Sequence, residues 1–325
     1  MRALPIRGET ANTAATLGHF ALSLATAWTW AHGWWPATAL AWCALAWLDH
    51  AALARLHEAA HGTLARRRWL NELHGIVIGT LALTPLSVYR FVHARHHACL
   101  GREGDPEFWP YNDVRARRAW RVAYAWAELA FGWILTPALY SLRTAASWRV
   151  IARAQRRRLV AEWLGFAAFW CALLAIVHAN GWWEWFIVIH LVPAWLTGSM
   201  QTVRKFTEHL GMFGDTIVSM TRMVIYRGPL GRAASASQRH VDHHATHHRH
   251  ARIPHYALPE ATEILYAEGS ETARGGRVFP NHLRAVVDMA PWMLDPKVGP
   301  QWIASPRDCA PLTGTLTGTR PTTRA

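Results

Sequence analysis

Six apolar segments, separated by short polar and arginine-rich stretches, dominate the first two thirds of the chain. They run from Ala14 to His32, Trp35 to Leu56, Leu73 to Phe91, Val122 to Leu142, Leu159 to Val177 and Trp185 to Val203. A helix of about 20 residues crosses the hydrocarbon core of a bilayer, so each segment is close to the length of a membrane span. The pattern predicts an all-α integral membrane protein.

The loops between the segments predict that only four of them cross the membrane. The turn "AHGWWP" has no Asp, Glu, Lys or Arg, and "HANGWWEW" has only Glu184. Tryptophan-rich loops with little charge are typical of the non-cytoplasmic side, whereas arginine clusters favour the cytoplasm. We therefore predict two transmembrane hairpins, from segments one and two and from segments five and six. Segments three and four each lie between two cytoplasmic stretches, so we predict re-entrant or interfacial helices there.

The charge distribution agrees with a membrane protein and argues against a nucleic-acid partner. Hydrophobic residues make up 51% of the chain and charged residues only 17%, which disfavours an ordinary soluble enzyme. The net charge of +13 comes from arginines at 66–68, 115–121 and 149–158, beside apolar segments rather than on one soluble basic face. We predict both termini and the polar machinery in the cytoplasm, at a bacterial inner membrane.

Polarity divides the chain into four predicted regions. Residues 1–13 form a cytoplasmic N-terminus, residues 14–250 a membrane domain, residues 251–305 a cytoplasmic C-terminal cap, and residues 306–325 a disordered tail. The N-terminus has no signal-peptide cleavage pattern, so the first segment is expected to remain in the mature protein. The four cysteines form no C-x-x-C pair, so an iron–sulfur centre within the chain is not expected and electrons must come from another protein.

Histidines are concentrated in three short motifs on the predicted cytoplasmic side, giving a histidine-rich cap. In "HEAAH", His57 and His61 lie one turn apart on one face of a predicted helix and can share a metal ion. With "HARHH", "HVDHH" and one further residue, the candidate ligands are His57, His61, His93, His96, His97, His209, His240, His243 and His244. A catalytic zinc uses three protein ligands, so two metal ions explain this set better than one. Imidazole also binds iron, copper and nickel, so ligand type leaves the metal open.

The motifs "HEAAH", "HARHH" and "HVDHH" match the order HxxxH, HxxHH, HxxHH, and the chain from about Asp49 to Glu260 resembles the membrane fatty acid desaturase and hydroxylase superfamily. Further similarities are "RWLNELHG", "GDPE", "RKFTEHLG" and "IPHYALPE". The resemblance implies that the nine histidines hold a non-haem di-iron centre. It implies that O₂ is activated there to attack unactivated C–H bonds of a lipid chain, with electrons from an external ferredoxin, rubredoxin or cytochrome.

Several polar residues near the motifs are candidates for supporting roles. We predict that some carboxylates orient ligating imidazoles through the other ring nitrogen, or alternatively pair with arginines or close a turn: Asp49, Glu58, Asp105, Glu208 and Asp242. His50, two helical turns before His57, is a candidate for lining a substrate channel or for bonding to a neighbouring helix. For His247, His248 and His250 we predict a solvated polar turn rather than additional ligands.

The favoured function is a fatty acid desaturase acting on acyl lipids. A lipid or alkane hydroxylase and a carotenoid ketolase-type oxygenase remain open, because chain positioning separates these reactions and the ligands do not encode it. An intramembrane zinc protease is a weaker alternative, in which "HEAAH" binds zinc and Glu58 is the general base. A metal transporter is weaker too, since the spans contain few polar residues at mid-membrane depth.

Overall fold

The computed structural model describes residue 6, residues 9–267 and residues 276–303. The predicted disordered tail, residues 306–325, lies outside the described residues. Helices account for nearly all regular structure: α1 (Glu9–Ala31), α2 (Trp35–His61), α3 (Arg68–Leu81), α4 (Leu86–Cys99), α5 (Arg118–Ala146), α6 (Arg153–Ala179), α7 (Trp183–Phe186), α8 (Val192–His209), α9 (Pro229–Ser237), α10 (His244–Arg249), α11 (Leu258–Ala267) and α12 (His282–Met289). The prediction of an all-α membrane protein is confirmed.

Four helices in the described part of the chain are long and apolar enough to cross a membrane. They are α2, α5, α6 and the continuous helix Trp183–His209, in which a π-helical segment at Ile187–Leu191 joins α7 to α8. Four spans were predicted, but the four helices differ from the predicted set in one member. Helix α5 meets the criteria of length and apolarity, whereas α1 does not. Helix α1 is long enough, yet its Thr, Ser and His residues lower its mean hydropathy. Helix α5, predicted to be re-entrant or interfacial, has 29 residues and is long and apolar enough for a span.

The third apolar segment, predicted to be re-entrant or interfacial, is broken by a sharp bend, the geometry of a re-entrant element or of a broken span. Helices α3 and α4 meet at an angle of 96° across the short stretch 82–85. Pro85 stands immediately before α4, where its missing N–H removes no helical hydrogen bond. The bend directs α4 towards the C-terminal ends of α2 and α8.

Close packing joins α5 to α8. A Cβ atom on Gly198 of α8 would lie 2.4 Å from the backbone nitrogen of Trp133 in α5, and one on Gly132 would lie 2.2 Å from the Thr202 hydroxyl. Only glycine permits this approach of the two helix backbones. The non-helical backbone angles of Phe131 bend α5 at the same level.

The polar C-terminal part covers the ends of the long helices with short elements. Two three-residue strands, β1 (Arg222–Val224) and β2 (Arg277–Phe279), pair in parallel. The fully buried Arg222 donates to the backbone carbonyls of Thr207 and Leu210 near the end of α8, and pairs with Asp288 of α12 at 2.6 Å. These bonds satisfy carbonyl groups that the helix end leaves open.

Candidate metal centre

The C-terminal turn of α2 carries the first two histidines. His57 and His61 lie four residues apart with ring centroids 4.8 Å from each other. Helix α2 ends directly after them, where Gly62 adopts a left-handed conformation (φ +76°) and its N–H donates to the carbonyl of Ala59. Glycine takes this conformation without strain, so it stops the helix at the edge of the candidate site.

Helix α4 supplies three further histidines to the same region. His93 and His97 are four residues apart and approach the end of α2, with 3.0 Å between the Nε2 atoms of His93 and His61. His96 is turned towards α8, where its ring centroid lies 5.0 Å from that of His209. One helix therefore contributes to two neighbouring groups of imidazoles.

Helix α10 is the second element shared by both groups. Its residues His244, His247 and His248 follow the i, i+3, i+4 spacing of one helix face, and all three are buried. His247 reaches His97, with 3.2 Å between their Nε2 atoms, while His244 lies 2.7 Å from Nε2 of His209.

We call the two groups cluster A and cluster B. Cluster A consists of five histidines: His57, His61, His93, His97 and His247. Cluster B consists of four: His96, His209, His244 and His248. Within each cluster, one potential ligand atom from every residue lies within 4.8 Å of all the others. The clusters are neighbours, because the rings of His97 and His248 are 4.3 Å apart.

Hydrogen bonds of the Nδ1 atoms fix the orientation of several imidazole rings in the clusters. Nδ1 of His96 lies 2.8 Å from Oδ2 of the fully buried Asp105, so it carries the proton and leaves Nε2 free for a metal. Nδ1 of His209 donates to the carbonyl of Met220 at 2.9 Å, and Nδ1 of His93 lies 3.5 Å from Glu107. Asp105 was a sequence candidate. Glu107 was missed, although the "GDPE" similarity contained it.

Burial keeps the imidazoles of α10 neutral. Removal from water lowers the pKa of His244, His247 and His248 well below its usual value, and nearby histidines lower it further. Neutral rings with free nitrogens are the form that binds metal ions.

The structure changes the interpretation of the third histidine motif. The predicted solvated turn is wrong for His247 and His248, which are buried in clusters A and B, and holds only for the exposed His250. Conversely, His240 and His243 lie outside both clusters, in a separate group with Asp242. The tract contains two overlapping HxxHH frames that share His244, and helix α10 uses the second one, "HATHH".

Besides Asp105, two more of the predicted supporting carboxylates lie beside clustered histidines. Glu58 is buried 3.6 Å from Nδ1 of His57 and accepts a 2.8 Å hydrogen bond from Thr63. The Oε2 atom of Glu208 lies 3.6 Å from Nε2 of His244, and its Oε1 atom lies 3.7 Å from Nε of Arg204.

The other predicted supporting residues lie elsewhere. Asp49 pairs with His19 of α1 at 2.8 Å, and His19 belongs to neither cluster. Asp242 accepts from Ser235 rather than from a clustered ring. His50 is buried, but it lines neither of the two cavities described next.

A small polar cavity lies beside both clusters, along the last two turns of α8. Side chains of both clusters line it together with Gln201, Arg204, Lys205 and Glu208. Of these four residues, only Glu208 was a candidate from the sequence. Lys205 is buried and forms an ion pair with the buried Glu128 of α5. This ion pair links α5 to α8 and fixes the position of the Lys205 side chain at the cavity. The i, i+4 and i+7 spacing of residues 201, 205 and 208 could have identified them from the sequence, because it places three polar side chains on one face of a helix.

A second, mainly apolar cavity of about 160 Å³ lies between α1, α2, α3, α5 and α8. Leu53, Ile78, Leu81 and Trp133 contribute to its apolar wall, and the His19–Asp49 pair to its polar edge. It opens a space for an apolar group beside the turn of α2 that precedes cluster A.

Comparison with known proteins gives consistent relatives. The chain is 22% identical to an oleoyl-12-hydroxylase of Ricinus communis (64% of this chain, 60% of that protein) and 24% identical to a Delta(12) acyl-lipid conjugase of Impatiens balsamina (64% and 61%). It is 27% identical to a dihydrorhizobitoxine desaturase of Bradyrhizobium elkanii (64% and 62%). The chain thus matches about three fifths of the length of these relatives.

The family model described as "Fatty acid desaturase" matches residues 6–275, which include every histidine of clusters A and B. This match covers most of the chain, and the helical fold with membrane-spanning candidates agrees with it. The chain therefore belongs to the fatty acid desaturase family.

Proposed function

We propose that this protein is a membrane-bound, O₂-dependent oxidoreductase with a non-haem di-iron centre, and that it desaturates an acyl lipid. The observation that carries the proposal is the pair of adjacent buried histidine clusters. The proposed ligands are the five histidines of cluster A and the four of cluster B. His247 and His248 thereby take the place of His240 and His243 in the set expected from sequence.

The spacing of the ring nitrogens fits metal coordination. Two nitrogens bound to one ion at about 2.1 Å and at right angles are separated by about 3.0 Å. The Nε2 atoms of His61 and His93, and those of His93 and His97, are each 3.0 Å apart. In cluster B the corresponding distance between His244 and His248 is also 3.0 Å. Both clusters can therefore hold an ion with little rearrangement.

The chain's own residues would hold the reactive site and keep water from it. Iron, when bound, would supply the redox chemistry with O₂ that unactivated C–H bonds require. Asp105 holds His96 in the tautomer with a free Nε2 atom, and burial excludes competing solvent. Glu208, whose Oε2 atom lies 3.6 Å from Nε2 of His244 in cluster B, is placed to hold a proton beside the site.

The named relatives support an acyl substrate but leave the outcome open. The plant relatives are a hydroxylase and a conjugase of acyl chains, while the Bradyrhizobium protein is named for dihydrorhizobitoxine. The apolar cavity beside α2 favours a substrate with an apolar chain. Hydroxylation is the second candidate, because the same ligands support both reactions.

An external electron donor is the proposed partner. The cysteines are scattered along the sequence without a C-x-x-C pair, so we propose that the electrons come from another protein. Exposed arginines at 66–68, 115, 117 and 118 could attract an acidic ferredoxin, a rubredoxin or a cytochrome. We place this face and the histidine clusters in the cytoplasm.

Metal analysis of detergent-purified protein tests the proposal. We expect about two irons per chain in the wild type, loss of iron in His97→Ala and His244→Ala, and no loss in the matched control His250→Ala, whose histidine is exposed. Cells that express the wild type should also accumulate a product with two fewer hydrogens or one additional oxygen in its acyl chain. A single zinc that survives both cluster substitutions would refute the di-iron site.

A further inference from the structure

A third group of metal-binding side chains lies outside clusters A and B. It consists of His240, Asp242 and His243, in the turn between α9 and α10. One potential ligand atom from each residue lies within 4.8 Å of the other two. Asp242 and His243 are buried, while His240 is partly exposed, so the group borders the surface.

The hydrogen bonds of Ser235 determine the tautomer of His240. The Ser235 hydroxyl has one proton and donates it to Oδ1 of Asp242 at 2.7 Å. Nδ1 of His240 lies 2.8 Å from the same hydroxyl oxygen and must therefore be the donor in this second bond. His240 thus carries its proton on Nδ1, and its Nε2 lone pair is free.

The same reasoning applies to His243. The Thr262 hydroxyl donates its proton to the carbonyl of Leu258 at 2.7 Å. Nδ1 of His243, 2.9 Å from the Thr262 oxygen, must donate to it, which again leaves Nε2 without a proton. Two separate hydroxyl groups therefore prepare both imidazoles as Nε2 ligands, as the partners of metal-binding histidines commonly do.

Asp242 completes the set with an oxygen that no protein group satisfies. Its side chain is buried at 6% exposure, Oδ1 accepts from Ser235, and Oδ2 has no hydrogen-bond partner. A buried carboxylate oxygen without a partner is unfavourable, and a cation restores what water would have supplied. The left-handed backbone of His240 (φ +51°) is a further strained feature of this turn.

We propose that His240, Asp242 and His243 form a third metal site, separate from the di-iron centre, that binds a divalent first-row transition ion such as Zn²⁺ or Fe²⁺. Two imidazoles and one carboxylate suit these ions, with the remaining positions taken by water at the exposed side of His240. The site immediately precedes α10, so a bound ion fixes the start of the helix that serves both clusters. This inference does not depend on the reaction that the clusters perform.

Zinc binding by the purified, iron-loaded full-length protein tests the site. After incubation with Zn²⁺ and removal of excess, we expect one zinc per chain in the wild type and in the exposed control His250→Ala. Asp242→Asn and His240→Ala should lose this zinc and retain the iron. Zinc counts equal to the wild type in both variants, or no zinc in the wild type, would overturn the proposal.

A milder variant separates ligand loss from misfolding. Ser235→Ala keeps all three ligands but removes the group that orients His240 and Asp242, so zinc affinity should fall about 10–100-fold. Addition of Zn²⁺ should raise the melting temperature of the wild type and of His250→Ala but not that of Asp242→Asn. An unchanged affinity in Ser235→Ala together with a zinc-dependent shift in Asp242→Asn would contradict the assignment. Iron content, measured in parallel, reports on the di-iron proposal independently.

Discussion

Replacement of Asp105 by Asn should weaken one of the two proposed metal positions and spare the other. Asp105 is fully buried and accepts from Nδ1 of His96 at 2.8 Å, and from the backbone N–H groups of Gly101 and Glu107 at 2.7 and 2.9 Å. An Asn at this position keeps the size but has only one acceptor oxygen. Oδ2 accepts from both His96 and Gly101, so the Asn oxygen should take that position; the bond from Glu107 is then lost, and the bond from His96 is no longer charge-assisted.

The expected magnitude follows from these contacts. Loss of one charge-assisted hydrogen bond costs about 1.5–3 kcal/mol, which corresponds to roughly 10–100-fold in binding. Substitution of a carboxylate that orients a ligating histidine has an effect of similar size, about 10–100-fold in metal affinity. Because His96 belongs to cluster B, only that cluster should lose affinity.

Iron titration of the metal-free protein provides the assay. Asp105→Asn should bind one iron with wild-type affinity and a second about 10–100-fold more weakly. Asp49→Asn is the matched control, since Asp49 also pairs with a histidine at 2.8 Å but that histidine, His19, belongs to neither cluster. Equal loss of both irons in Asp105→Asn, or two unchanged affinities, would refute the reasoning.

Two other features give further predictions. Gly198→Ala should lower the melting temperature by the equivalent of about 1–3 kcal/mol, because its Cβ would collide with the backbone of Trp133, while Gly165→Ala on α6, with nothing nearby, should have no such effect. Arg222→Leu should destabilise the protein by about 3 kcal/mol in thermal unfolding, since it leaves the buried carbonyls of Thr207 and Leu210 without a donor; a loss below 1 kcal/mol would contradict this. Burial would raise the pKa of Asp288, but its partners Arg222 and Arg277 outweigh this effect and lower it. The ion pair therefore stabilises the folded protein fully above the unfolded pKa of about 3.9, and this stabilisation is lost as the pH falls through the folded pKa. The difference in melting temperature between wild type and Asp288→Asn should therefore narrow below about pH 4, and a difference that is constant with pH would be inconsistent with the ion pair.

The sequence by itself determined the class of the fold and most of the site. Apolar segments of about 20 residues predict membrane helices because length and apolarity suffice to define a span. The i, i+4 spacing in "HEAAH" and "HARHH" predicts paired imidazoles, since a helix places such residues on one face. Both motifs lie in helices, and their histidines meet in the structure.

Only the tertiary structure decided which histidines of the third tract join the clusters. "HVDHHATHH" contains two HxxHH frames, and the one that is used depends on where α10 begins, at His244. That start is set by contacts distant in sequence, such as the bond from His243 to Thr262, and by the approach of α4 and α8. The division of nine imidazoles into two clusters likewise arises from the 96° bend between α3 and α4, which brings one face of α4 between α2 and α8. Local spacing identifies faces of single helices, whereas the partners of those faces depend on packing between them.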